Sequence, residues 1–369
     1  MLLESQSPSA RRGPSLAGTA ALAYSLLIIY ASLQPFTGWR AIPAEFGIFL
    51  FESWPRWITF DDVLFNFVAY APLGLLTALA LRARWSAPVA VAAAAVTCTL
   101  LSGALETVQQ YLPSRIASNV DLLVNAAGAT AGALLAPLFS PQQRLGRELA
   151  QLRSEWFVDG PRGDAVLVLA GLWLLAQLHL PSIAFGNGDL RASFSFTLLF
   201  PFSPQSYLAA EAGVVALNTA GLGLLLAGAT RNPGPGYWRA LALLFGLATA
   251  LKTAAALVLL QAPNPWSWLT PGVLLGLTCA MAVLLLLIRL PPGGRNALAF
   301  LALAAAMVLI NGTPENPYRP VAAYLLQGRA SHILSFASML RALSELWPFL
   351  AMLCALLSLP ARDSRPYRH

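Results

Sequence analysis

Three ionisable residues gather within the stretch ETVQQYLPSRIASNVDLLVNAAG: Glu106, Arg115 and Asp121. Gln109, Gln110, Asn119 and Asn125 stand among or beside them, in a chain of which only 11% is charged. Two carboxylates and a guanidinium can do two kinds of chemistry. A carboxyl group can give or take a proton. An arginine can hold a phosphate or carboxylate in a two-pronged grip. The same groups can also simply tie helices together, because buried polar groups need partners. Spacings of three and four put Glu106, Gln109 and Gln110 on one side of a helix.

A second pattern repeats at a fixed distance. TFDDVLFNF and SNVDLLVNA align at an offset of 59, pairing Thr59 with Ser118, Asp62 with Asp121 and Asn66 with Asn125. A Ser or Thr followed three residues later by an acid, ahead of an apolar run, predicts a capping box. Thr59 and Ser118 are thus predicted N-caps, and Asp62 and Asp121 their reciprocal partners. The negative charges also suit the positive ends of the helix dipoles. Capping does not account for Asn66 and Asn125, each one helical turn beyond its Asp and on the same face. In the second copy that face continues through Gly128 and Gly132, a small-residue stripe that admits another helix closely. The polar groups are therefore expected to point into the bundle. Two readings stand side by side: a hydrogen-bonded clamp between helices, and a shallow polar pocket. The candidate ligand-binding groups are Asp62, Asn66, Glu106, Gln109, Gln110, Arg115, Asp121 and Asn125, with Gly74, Gly128 and Gly132 as packing positions.

Other chemistry is absent from the sequence. It has no phosphate-binding glycine loop, GxSxG, HExxH or CxxC. His179 and His332 stand alone, with no second ligand at metal spacing. Cys98, Cys279 and Cys354 fall inside apolar runs and read as filler. No metal, cofactor or catalytic constellation is expected.

The elements that must position the polar groups follow from hydropathy. The chain is 57% hydrophobic, with a mean hydropathy of +0.64, whereas a soluble domain is about a quarter charged. Apolar runs of roughly 18 residues cross a bilayer core, and helices satisfy their own backbone there. Ten such spans are predicted, near 17–34, 61–81, 87–106, 118–138, 164–182, 207–228, 237–260, 268–288, 296–311 and 340–359. The fold class is all-α, a polytopic helical membrane protein. The first run, although preceded by Arg11 and Arg12, is read as a retained span. Trp39, Trp54 and Trp57 predict a short interfacial helix within 35–60. The stretch 140–163 alternates Arg and Glu and predicts a short amphipathic helix.

Orientation follows from arginine, since Lys252 is the only lysine. With the N-terminus inside, the cytoplasmic side holds fifteen arginines and the far side six, the bias expected of the positive-inside rule. The prediction is N-in, C-in, with the polar cluster on the outer side. The net charge of +7 then reflects topology and contact with anionic lipid, not nucleic acid. Lys252 lies mid-span, either snorkelling or pairing with an acid such as Glu211. Arg341 and Glu345 are predicted to pair on one helix face. Pro72 and Pro348 fall inside helices.

A weaker self-similarity has an offset of 152. FNFVAYAPLGLL near Asn66 echoes LNTAGLGLLLA near Asn218, and Pro113 falls on Pro265. It suggests a degenerate 4+4 repeat in parallel orientation: a four-helix domain over 17–140, a second over 164–290, and two further helices over 296–359.

The polar motifs of the first domain resemble the VanZ-like family, named for a membrane protein associated with teicoplanin resistance. The residues that carry the likeness are Asp62, Asn66, Tyr70, Pro72, Gly74, Glu106, Gln109 or Gln110, Pro113, Arg115, Ser118, Asp121, Asn125 and Gly128. The resemblance covers about 20–140. It implies a bacterial envelope protein of the cytoplasmic membrane whose relatives occur with glycopeptide resistance or surface-polysaccharide functions. Three functions are open: a non-enzymatic binder of a lipid-linked or glycopeptide-type ligand or of a partner; an enzyme acting on a polyprenyl-phosphate-linked substrate; and a flippase for such substrates. The lone Arg115 counts against the enzyme, and clustering at one surface counts against the flippase. Nothing in the sequence fixes an oligomeric state.

Overall fold

The computed structural model describes residues 15–41, 48–51, 53–54, 58–180, 183–231, 233–258, 264–316 and 331–358. Within them the chain forms eleven α-helices: α1 (Leu16–Leu33), α2 (Phe60–Leu81), α3 (Ala87–Gln109), α4 (Asn119–Leu135), α5 (Arg144–Trp156), α6 (Pro161–Ala176), α7 (Pro204–Ala229), α8 (Pro235–Val258), α9 (Pro271–Leu287), α10 (Pro292–Gly312) and α11 (Ser331–Leu357). No strand forms among the described residues; one isolated bridge joins Phe157 and Thr230. The helix starts are written locally. Five helices, α6 to α10, open on a proline, which suits the first turn because its N–H has no intrahelical partner. Ser15, Thr59, Ser118, Ser203 and Thr270 cap α1, α2, α4, α7 and α9 through their hydroxyls.

A helix stands at each of the ten predicted spans. Eight of the helices are long and apolar enough to cross a membrane. This is a polytopic all-α membrane protein. The ninth and tenth spans begin earlier than predicted, at Pro292 and Ser331. The fifth is a correction. Its apolar run suggested 164–182, but α6 ends at Ala176 after 16 residues, a rise of about 24 Å against a core of about 30 Å. Gln177 explains the stop. Its side-chain amide donates to Trp173 C=O (3.1 Å) and its Oε1 accepts the Phe185 N–H (3.2 Å), which draws the chain inward. The run stays apolar past Ala176 because residues 183–188 are buried in protein, the one setting where irregular backbone survives at membrane depth.

That buried segment is held by groups that other helices leave open. Pro348, inside α11, has no N–H, so the Ser344 carbonyl one turn earlier loses its usual donor. The Gly188 N–H takes the place (2.9 Å). Gly188 has φ +90°, and a Cβ there would press on Met307 and Pro348. Asn311 of α10 accepts the Leu190 N–H (2.7 Å) and donates to Gly188 C=O (2.8 Å). Beyond it Arg191 grips Asp189 through Nε and Nη2 and reaches Thr313 C=O (2.6 Å). Burial by itself would raise the Asp189 carboxyl; the bonded guanidinium instead holds it below the ordinary value. Lys252 is 1% exposed, so it does not snorkel; its Nζ donates to Gln177 C=O (3.4 Å). Glu211 accepts from the Thr270 hydroxyl (2.6 Å). The predicted Arg341–Glu345 pair forms at 2.7 Å.

Packing falls into two groups. In the first, α2 crosses α4 backbone to backbone. A Cβ on Gly74 would fall on Ala129 C=O, and one on Gly128 or Gly132 on the carbonyls of Phe67 or Ala71. Gly128 and Gly132 are the two glycines of the small-residue stripe on the fourth helix. In the second, α7 is the most buried helix and lies between α9 and α10. Helix α1 touches both α6 and α11 and so joins the groups. The amphipathic prediction for 140–163 is met by α5, whose Leu145, Leu149 and Leu152 form an exposed stripe. Of the predicted interfacial helix only a 3-10 turn, Ile48–Leu50, lies in the described part; Trp57 lies outside the described residues. His179 sits in the turn after α6, and His332 in the first turn of α11.

Arginines close helix ends across the chain. Arg82 donates to Ala136 C=O (3.2 Å), and Arg295 to Ala227 C=O in the last turn of α7 (3.3 Å). The last carbonyls of a helix have no internal donor. A planar fork of donors serves several of them at once, which favours Arg over Lys.

Candidate polar cavity

Six helix ends meet on one side of the bundle: the starts of α2, α4 and α11 and the ends of α1, α3 and α6. Antiparallel alternation puts all six on the side opposite the arginine-rich loops. Between them lies a cavity of about 700 Å³. Its polar wall comes from α2, α3, α4 and the turn before α4: Asp62, Asn66, Glu106, Gln109, Arg115, Ser118, Asp121 and Asn125 all line it. Its apolar walls include Tyr24 and Ile28 of α1, Phe65 and Val68 of α2, Leu175 and Leu178 at the end of α6, and Phe336 and Met339 of α11.

Each polar residue has a geometric role. Thr59 and Asp62 form the predicted capping box: Asp62 N–H donates to Thr59 Oγ1 (3.2 Å), and Thr59 N–H to Asp62 Oδ2 (3.3 Å). The second box differs from the prediction. Ser118 caps α4 by accepting from Val120 and Asp121 N–H (3.2 and 3.4 Å). However, its own N–H donates to Glu106 Oε2 (3.0 Å), not to Asp121. A carboxylate from α3 has replaced the local acid. Asp121 turns instead across the α2–α4 crossing, where its Oδ1 accepts from Asn66 Nδ2 (2.9 Å). Contact at the glycines brings the two helices close enough for that bond.

Asn125 Nδ2 donates to Ser102 Oγ (3.0 Å) on α3. Its Oδ1 is buried without a hydrogen-bond partner, and the residue is 4% exposed. Arg115 caps α1: Nη2 donates to Ala31 C=O and Gln34 C=O (both 2.9 Å) and Nε to Gln34 C=O (3.1 Å). Burial pulls its pKa down, and Glu106 nearby counteracts. Gln109 Nε2 donates to Ser32 C=O (2.9 Å), also at the end of α1. Gln110 does not line the cavity; it is the buried C-cap of α3, and its C=O accepts from Arg40 Nε (3.1 Å). Pro72 crowds the carbonyls of the preceding turn, and the Tyr24 hydroxyl donates to one of them, Ala69 C=O (3.0 Å).

Clamp and pocket therefore coincide. The bonds that fix α1, α2, α3 and α4 are made by the side chains that face the space. Sequence reasoning missed Ser102, although it stands one turn before Glu106 on the same face of α3. It also missed the walls from α1, α6 and α11, which no spacing within 59–128 encodes. No group of three or more potential metal ligands occurs among the described residues.

The comparisons with known proteins agree with the motif. Residues 6–140 match the VanZ/LLP1 family. The match covers α1 to α4 and every polar residue of the cavity wall, and bears out the resemblance over that part of the chain; α5 to α11 lie outside it. Neither the curated proteins nor the solved structures yield a match.

Proposed function

We propose that this membrane protein, whose first part is of VanZ type, sits in a bacterial cytoplasmic membrane and binds a lipid-linked or glycopeptide-type ligand in the cavity, without covalent chemistry. One observation carries the reading: the cavity is amphiphilic, with a polar wall from α2 to α4 and apolar walls from α1, α6 and α11. A lipid-tailed molecule needs both. Sites for small ligands combine apolar walls with a few placed polar groups in this way. Two sets of contacts count against an enzyme on polyprenyl phosphate. Arg115 donates to carbonyls at the end of α1, and Glu106 Oε2 accepts the Ser118 N–H, a helix-capping contact. The flippase reading would need polar groups along a path, whereas those of the cavity lie at helix ends on one side. The second half fits a duplicated scaffold without the site. Thr270 caps α9 as Ser118 caps α4, each accepting the N–H three residues on, and the two caps keep the offset of 152.

Two experiments test this. Ile116 is 87% exposed at the cavity rim. A Cys at this position should react with an impermeant maleimide added outside intact cells, and labelling only after lysis would overturn the orientation. In a teicoplanin-sensitive host expressing the chain, Glu106→Gln and Asp121→Asn should abolish any protection at unchanged membrane abundance. Loss of abundance in step with loss of protection would leave only the clamp.

A further inference from the structure

The face opposite the polar cavity carries the arginine-rich loops and a second, smaller recess beside α5. On α5, Leu145, Leu149, Leu152 and Trp156 share one side, because spacings of three and four bring residues together on a helix. Arg144, Arg147, Gln151 and Glu155 take the polar side. A helix so divided lies flat at headgroup depth with its leucines in the lipid. The main chain fixes its last turn there. The Arg231 N–H donates to Trp156 C=O (3.1 Å) and the Val158 N–H to Ala229 C=O (2.8 Å). Gly236 at the start of α8 lies against the Trp156 ring. Trp156 and Phe157 thus stand at the α5 end of an apolar crevice of about 130 Å³, which continues between α6, α7 and α8 past Leu167, Leu226, Leu243 and Leu247.

Sites that enclose a whole small molecule measure about 300–1,000 Å³. The crevice is smaller, so it takes part of an apolar chain whose remainder lies in the bilayer. Charge at its rim selects the chain's owner. Arg239 stands one turn before Leu243 and two before Leu247 on the same face of α8, so a guanidinium heads the stripe that lines the crevice. Acids beside the rim are already taken: Asp159 by Arg231 (2.7 Å) and Asp164 by Arg153 (2.8 Å). Arg239 is exposed and has no ion pair among the described residues. A basic group at headgroup depth beside an apolar groove between helices complements an anionic lipid. We infer that the crevice seats one acyl chain of an anionic phospholipid whose phosphate lies against Arg239. The site is on the other face from the polar cavity and is independent of the function assigned to that cavity.

The test titrates the full chain, in a nonionic detergent, with phosphatidylglycerol and with phosphatidylcholine of identical acyl chains. Bound lipid is counted by native mass spectrometry. The first phosphatidylglycerol should bind about fivefold tighter than the first phosphatidylcholine, the equivalent of about 1 kcal/mol for one arginine at an anionic surface. Arg239→Gln should erase that preference. Arg84→Gln, at an exposed position of the α2–α3 loop outside the crevice, should keep it. Leu243→Trp fills the crevice from its exposed side and should weaken the first molecule of either lipid. Inorganic phosphate in large excess should leave the bound phosphatidylglycerol in place. Equal affinity for the two lipids, or a preference that Arg239→Gln keeps, would overturn the head-group contact. An equal loss of preference in Arg84→Gln would reduce the effect to the diffuse charge of this face and overturn the site. Displacement by inorganic phosphate would overturn the seated chain, as would lipid binding that Leu243→Trp leaves unchanged.

Discussion

Replacing Glu106 separates its two duties, because a glutamine keeps one and loses the other. Glu106 is 4% exposed, and its Oε2 accepts the Ser118 N–H at 3.0 Å. Gln can present an amide oxygen at the same place. The amide oxygen keeps a neutral bond of about 0.5–1.5 kcal/mol, so the change should cost no more than about 1 kcal/mol. Glu106→Leu removes the acceptor altogether and orphans the donor at the start of α4, a cost of about 1–3 kcal/mol for the bare N–H on top of the lost bond. The expected order in free energy of unfolding is therefore wild type, then Gln up to about 1 kcal/mol lower, then Leu about 3 kcal/mol lower. Denaturant titration of the purified chain in mixed micelles, followed by tryptophan fluorescence, measures both differences. In the same preparations Glu106→Gln should remain folded. If Gln were as damaging as Leu, the charge itself would be structural. If Leu cost nothing, the bond to Ser118 would not hold α4, and the account of its N-terminus would be wrong.

Two further outcomes follow from the geometry. Gly132→Ala sets a methyl group against Ala71 C=O at the α2–α4 crossing and should cost about 1–3 kcal/mol by overpacking. Gly171→Ala in α6, where an added Cβ meets nothing within 4 Å, should be neutral or raise stability by up to about 1 kcal/mol; equal effects from the two would refute the close crossing. The Asp189–Arg191 pair predicts a dependence on acid. A carboxyl held below its ordinary value stabilises the fold fully above the unfolded pKa of about 3.9, and that share is lost as pH falls through the lower folded value. Wild type should therefore lose stability more steeply than Asp189→Asn on acidification below about pH 4, and parallel curves would refute the pairing.

The sequence showed most of the framework because a bilayer leaves few options. Ten apolar runs became ten helices, and the capping residues Thr59 and Ser118 and the glycines of the α2–α4 contact stand where spacing put them. Local rules failed where a tertiary partner outbid a local one. Asp121 had the spacing of a capping acid, yet Glu106 arrives from α3 to accept the Ser118 N–H and frees Asp121 for Asn66. Hydropathy could not tell α6 from the buried segment after it, because both are apolar; the difference lies in Gln177 and in the carbonyl that Pro348 exposes. The walls from α6 and α11 were illegible for the same reason, since they arise from packing between groups far apart in sequence.

The arginine cap on α1 has a consequence for biogenesis. Gln34 and Ala31 precede their donor, Arg115, by 81 and 84 residues. At about 5–20 residues per second, the far end of the first inserted helix waits roughly 4–16 s before its closing group has been made. Glu106 and Asn66 likewise wait for Ser118 and Asp121. Helix α1 enters the lipid with an unfinished end and α3 with an unpaired carboxyl, and the arrival of the turn before α4 completes both together. Closure of this part of the bundle is thus gated by its last helix, and a ribosome stalled ahead of residue 115 would leave three helices held only by their own contacts, such as Tyr24 to Ala69 and Gln109 to Ser32.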